Sequence, residues 1–172
     1  MRLRELAQLF NSMDPSPFLD RDLDADAEEF IMSWAREHPA DHELDLVVHL
    51  ATPPPPDRAA SLEEAVQHYF TQRAHLKGLE FRRLLRLGRT TLLVALAFLA
   101  SCLLVAGLAT KLWPGAFGAI VREGLTIAGW VAMWRPLQIY LYEWWPLRDE
   151  RRILERLGRM RVHLVLPPAD KS

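Results

Sequence analysis

One cysteine in 172 residues, Cys102, removes any intrachain disulfide, and its place inside an apolar run argues against a thiolate metal cluster. Lysine is almost as scarce, with three against 18 arginines. No Gly-rich phosphate loop, dinucleotide fingerprint, nucleophile elbow or HExxH pattern occurs. The six histidines form no known ligand spacing: His38 and His42 are four apart but straddle Pro39. The segment MRLRELAQLFNSMDP has acidic and polar residues where a secretory leader needs an apolar core, so no cleaved leader is expected. These absences disfavour familiar catalysis, and the reading that follows is of a non-enzyme with no cofactor.

What the chain does have is Thr90–Ala109, TTLLVALAFLASCLLVAGLA, twenty residues without a charge. As a helix it extends about 30 Å, the thickness of a bilayer's hydrocarbon core. A second long apolar stretch, Gly124–Trp145, is interrupted by Arg135, Gln138 and Glu143. The expected fold is an α+β membrane protein: a two-helix transmembrane hairpin carrying a small cytoplasmic α+β domain formed by the N- and C-terminal segments. Its divisions are an acidic segment 1–60, a basic amphipathic helix 61–89, a first span 90–109, an external turn 110–123, a second span 124–145, and a basic helix with a final strand over 146–172.

Charge is divided sharply. Residues 1–60 hold 13 Asp and Glu against 5 Lys and Arg, whereas residues 61–172 hold 16 Lys and Arg against 9 Asp and Glu. Six basic residues precede the first span (73–89) and six arginines follow the second (148–161), with few between. Loops rich in Lys and Arg stay in the cytoplasm, so both termini are expected there. The same rule accounts for the basic half without nucleic acid. Arg82, Arg83, Arg86, Arg89, Arg148, Arg151 and Arg152, with Trp113, Trp144 and Trp145, then form the headgroup interface, since indole and guanidinium groups favour that boundary. The basic helix 147–160 has the composition to bind anionic lipid as well.

Along the N-terminal segment, Leu3, Leu6, Ala7 and Phe10 fall at helical spacing over 3–10, ended by Asp14-Pro-Ser-Pro17. Asp20, Asp22, Asp24 and Asp26 alternate like a calcium loop, but Ala25 and Ile31 stand where Gly and Glu are required. Helix capping is the simpler role, with Asp26 as N-cap and Glu29 three residues on. A helix over 23–37 would bury Leu23, Ala27, Phe30, Ile31 and Trp34. Alternation over 43–50 makes a strand with Leu44, Leu46, Val48 and Leu50 on one face. A Pro53–Pro56 spacer follows; as an SH3 or WW ligand it lacks flanking recognition residues. Ser61-Leu-Glu-Glu64 reads as a capping box opening a helix that continues unbroken into the first span, about 70 Å in all. Arg161–Leu166 alternates again and should pair with 43–50, placing His49 and His163 across from each other, with any further strands supplied by another subunit.

Arg135 is the most informative single residue. An arginine within a span faces protein or a water-filled cavity, or snorkels to the headgroups. On an ideal helix Arg135, Gln138 and Tyr142 share a face, while Glu143 lies about 80° away from Arg135. That face is the candidate partner or pore surface. FLDRDLDADAEEFI and GWVAMWRPLQIYLYEWWPLRDERR resemble stretches of small two-span bacterial inner-membrane proteins, a resemblance that implies a location and no activity. The expected role is an accessory, scaffold or regulatory subunit of a membrane complex, with the lipid bilayer and another membrane protein or a second copy as partners. The competing role is a homo-oligomeric channel or transporter-like pore lined by Arg135, Gln138 and Tyr142. An enzyme would require His and Asp side chains to converge in the cytoplasmic domain.

Overall fold

A parallel sheet is built from strands far apart in sequence. The computed structural model describes residues 1–39 and 42–166, and it is mostly helical. Contacts divide it into two compact units, one of residues 1–78 and 149–172, the other of residues 79–148.

The first unit holds three strands: β1 (Arg2–Leu3), β2 (Asp45–Leu50) and β3 (Arg161–Val165), in the order β1-β2-β3. Both pairings are parallel, with Arg2 level with His49, Leu46 with Val162 and Val48 with Leu164. The strand expected over 43–50 and its pairing with 161–166 are both present. The third strand comes from the chain's own N-terminus, not from another subunit. Residues 2–3 are therefore extended where helical spacing was read, and only Leu6–Leu9 makes a helical turn, of 3₁₀ type. Helical periodicity over eight residues is too short to outweigh a strand partner.

Helix α1 (Ala25–Glu37) starts one residue after Asp24, whose side chain accepts from the Asp26 amide, so Asp24 rather than Asp26 is the N-cap. Its buried stripe is Ala27, Ile31 and Ala35 with Met32 beside it; Phe30 is 54% exposed and Trp34 half-buried. Helix α2 (Pro56–Leu112) runs 57 residues without interruption. It begins five residues before the expected cap because proline's fixed φ and missing N–H suit a first helical position, with Pro55 carbonyl accepting from the Ala59 amide. Ser61 thus lies inside the helix and its hydroxyl donates to Asp57 carbonyl.

One face of the sheet (Leu46, Val48, Leu50), α1, the first turns of α2 (Leu62, Ala65, Val66, Tyr69, Phe70, Ala74) and helix α5 (Trp144–Leu157, contributing Ile153, Leu154 and Leu157) share one hydrophobic core. Complete burial of each large side chain stabilises the fold by about 1.5–3 kcal/mol. Polar groups of α2 complete the edge strand: Gln67 donates to Met160 carbonyl at 2.9 Å, and Glu63 accepts from the Val162 amide at 3.0 Å. His49 and His163 lie on the sheet's outer face but two residues out of register, His163 level with Val47 and His49 with Val165.

In the second unit, α2 is followed by α3 (Ala116–Ala132), α4 (Trp134–Gln138), a π-helical turn (Ile139–Glu143) and the start of α5. The connection is far shorter than 110–123. Trp113, Pro114 and Gly115 make the reversal, and Gly115 adopts φ of 135°, a conformation that favours glycine.

Candidate membrane and partner surface

Small residues place the two long helices against each other. On α2, Gly88, Ala95, Cys102 and Ala109 are buried at seven-residue intervals, joined by Ala106. Opposite them lie buried Gly118, Gly129, Pro136 and Ile139. A seven-residue period is the signature of left-handed helix packing, and small side chains at the seam let backbones approach closely. The approach leaves little room: a Cβ on Gly129 would come 2.7 Å from Leu99 Cδ1 and 3.3 Å from Cys102 Cβ. At the turn, a Cβ on Gly118 would lie 2.1 Å from the Trp113 carbonyl oxygen, a fixed backbone atom.

Outside this seam the surface is apolar. Leu93, Val94, Leu104, Leu108, Phe117, Ile120, Ile127, Trp130, Val131 and Trp134 are all more than half exposed. In the most apolar stretch of α2 only 22% is buried, and in that of the helical run Ala116–Leu157 only 11%. A core helix of a soluble domain would reverse those proportions. Both helices are long and apolar enough to cross a membrane.

Arg135 sits beside a break in the second helical run. Pro136 has no amide hydrogen, so the run tightens at Met133, whose amide bonds back to Trp130 carbonyl, and resumes with Pro136 in the first turn of α4. The π turn Ile139–Glu143 then takes up one extra residue. That residue turns the following side chains back by about 100°, so Glu143 arrives within about 20° of the Arg135 direction instead of 80° away. Arg135 Nη1 donates to Glu143 Oε1 as an ion pair. Gln138 and Tyr142 are exposed, Tyr142 by 69%, and neither has a side-chain hydrogen-bond partner among the described residues. Sequence spacing places Arg135, Gln138 and Tyr142 together; the ion pair joins Arg135 to Glu143. The sign of this pairing in the sequence was Pro136 itself, because a helix that breaks need not keep a 100° step.

The residues expected at a headgroup interface take these positions. Arg82, Arg83, Arg86 and Arg89 are exposed on α2 without carboxylate partners among the described residues. Trp113 is exposed in the turn and meets Phe117 edge-on at 6.0 Å. Trp144 donates its indole hydrogen to Tyr140 carbonyl at 2.7 Å, stacks near Trp145 at 5.0 Å and carries Arg148 over its ring at 5.6 Å. Arg151 is paired with Glu155, and Arg152 is exposed.

The aspartates of 20–26 serve the loop and cap. Asp20 faces His68 at 3.4 Å, the Asp22 amide donates to Asp14 at 2.7 Å, and Asp24 caps α1. Among the described residues, no three His, Cys, Asp or Glu side chains converge as a metal set would. Outside the apolar helices, Tyr69 Oη donates to Glu28 Oε2 at 2.7 Å, while Arg73 Nη2 reaches Glu28 Oε1 at 2.7 Å. Burial, then the Glu28 bond, pushes the Tyr69 phenol above its ordinary range. This triad ties α1 to α2, and its spacing across 41 residues carried no sequence signal.

No family profile, curated protein or solved structure matches the chain.

Proposed function

We propose that the chain is a non-catalytic integral membrane protein of the bacterial inner membrane, an accessory or scaffold subunit of a membrane complex. The exposed apolar exterior of the helix hairpin is the observation that carries this reading. Water would solvate such a surface poorly, whereas acyl chains meet it without penalty. Helical geometry pairs the backbone groups of α2 within the helix, as a span requires, and the second run does the same on either side of its Pro136 break. With arginines flanking both helices at the open end of the hairpin, the sheet-bearing unit and both termini lie in the cytoplasm and the Trp113–Gly115 turn lies outside. The Arg135–Glu143 pair, near neutral as a unit, is tolerable toward lipid and better placed against another polypeptide.

Native mass in mild detergent, after extraction at natural expression level, tests the role. A stable mass containing a different polypeptide supports an accessory subunit; a lone monomer removes it. Labelling tests the topology: in a Cys102→Ala background, Lys111→Cys should react with an impermeant maleimide on intact cells, and Asp57→Cys only after lysis. The second reading is a homo-oligomeric pore, favoured by the unpartnered Gln138 and Tyr142 on the hairpin's outer surface. A closed ring of identical chains whose conductance falls on Arg135→Leu would put it first.

A further inference from the structure

Three arginines gather where α5 ends. Arg152 and Arg156, four residues apart, share one face of the helix, and Arg159 lies in the turn just beyond Leu157. Together with Glu155 they line a cleft of about 320 Å³. Like charges at this spacing repel, and in a folded chain a carboxylate ordinarily relieves them. Here none does. Glu155, the cleft's one carboxylate, accepts from Arg151 Nε at 2.8 Å. Arg156 Nη2 is held by two neutral groups, the carbonyls of Pro39 at 2.8 Å and His42 at 3.2 Å. Arg152 and Arg159 have no carboxylate partner among the described residues.

The helix C-terminus favours positive charge near its final turn only, which covers Arg156 and the adjoining Arg159 but not Arg152. Arg156 is fixed in place by its carbonyl contacts, so one guanidinium is already oriented and the other two flank it. Guanidinium groups present paired N–H donors that match phosphate oxygens, and several around one anion are the usual means of holding it.

We infer that the Arg152–Arg156–Arg159 cleft binds a phosphate-bearing anion. The ligand is a tetrahedral phosphate group, whether free in solution or on a lipid headgroup, and its charge relieves the repulsion along the row. The site is separate from the Arg135 surface and does not depend on the role of the hairpin.

The test is calorimetric titration of the full chain with inorganic phosphate at low salt, in nanodiscs of phosphatidylcholine. Saturable binding is expected, weakened about tenfold by Arg152→Gln and again by Arg159→Gln, as loss of a charged hydrogen bond requires. Arg36→Gln, which removes one exposed charge from α1, should leave it unchanged. Repeating the titration in discs that contain phosphatidic acid separates the sources. If the headgroup fills the site, free phosphate no longer registers; if the ligand is soluble, the titration is the same in both discs. Absence of saturable binding in phosphatidylcholine discs would overturn the assignment. So would wild-type affinity in both arginine variants, or an equal loss in Arg36→Gln.

Discussion

Tyr69 donates its phenolic hydrogen to Glu28 at 2.7 Å, joining the middle of α2's buried face to the first turn of α1. Burial, and then this bond, hold the proton on Tyr69, so the folded chain releases it at higher pH than the unfolded chain, whose phenol titrates near 10. Above pH 10 the unfolded state therefore binds fewer protons, and stability falls as pH rises. Below that value the contribution is complete. Denaturant unfolding of the full chain in detergent should show a downward slope beginning near pH 10. Tyr69→Phe should flatten it and cost about 1 kcal/mol at neutral pH. Glu28→Gln, which also weakens the partly exposed Arg73 contact, should cost about 1–2 kcal/mol after screening.

Cys102 reports on the hairpin seam. It is buried against Gly129, so a maleimide should label it slowly in the folded chain. Gly129→Leu overfills the seam and should destabilise the pair by about 1–3 kcal/mol, with Cys102 labelling accelerated accordingly. Gly118→Ala meets backbone instead of a movable side chain, and should open the Trp113–Gly115 turn. Labelling rates that match wild type in both variants would show that the helices do not pack along this seam.

For Arg135 and Glu143, the single change should cost more than the double one. Arg135→Leu leaves a carboxylate without its partner in apolar surroundings and should lower the thermal midpoint in detergent. Arg135→Leu with Glu143→Leu removes both charges and should recover most of the loss, because the expense lies in the unpaired charge. Additive losses in the double-mutant cycle would deny the coupling.

How much of this was legible beforehand depends on the range of the interactions. The two long apolar helices, the unbroken passage of α2 and the pairing of 45–50 with 161–165 follow from composition and alternation, which act locally. The seam was written in the small residues at 88, 95, 102 and 109, but a hydropathy reading counts alanine and glycine as filler and passes over it. Arg135 stands out in the sequence, but ideal helix geometry lets Glu143 reach it only approximately, because it has no place for a π turn. Phe30 was assigned to the core because hydrophobicity alone ranks it above Ala35; the close packing along α1 selects the smaller residue. The arginines of 147–160 point in the sequence to topology and to anionic lipid, but the neutral carbonyl partners of Arg156 come from Pro39 and His42, 117 and 114 residues away.

Asp14 offers a check on the N-terminal loop. Its carboxylate accepts from the Asp22 amide at 2.7 Å and the Ser16 amide at 2.9 Å, which hold it below its ordinary value of 3.8. The stabilisation is present above that value and is lost as pH falls through the lowered one. Thermal midpoints measured downward from neutral pH should drop more steeply in wild type than in Asp14→Asn. Parallel profiles would show that the loop bonds do not form in solution.

The strand order carries a temporal consequence. β2 lies between β1, made first, and β3, made after every residue of both apolar helices. During synthesis the sheet therefore waits with Leu46 and Val48 short of their neighbours Val162 and Leu164 until residues 161–165 leave the ribosome. A chain interrupted anywhere in the hairpin keeps that edge open, and with it a template for aggregation or a handle for proteases. The last strand acts as a seal, closing the unit only on chains whose translation has passed through both helices.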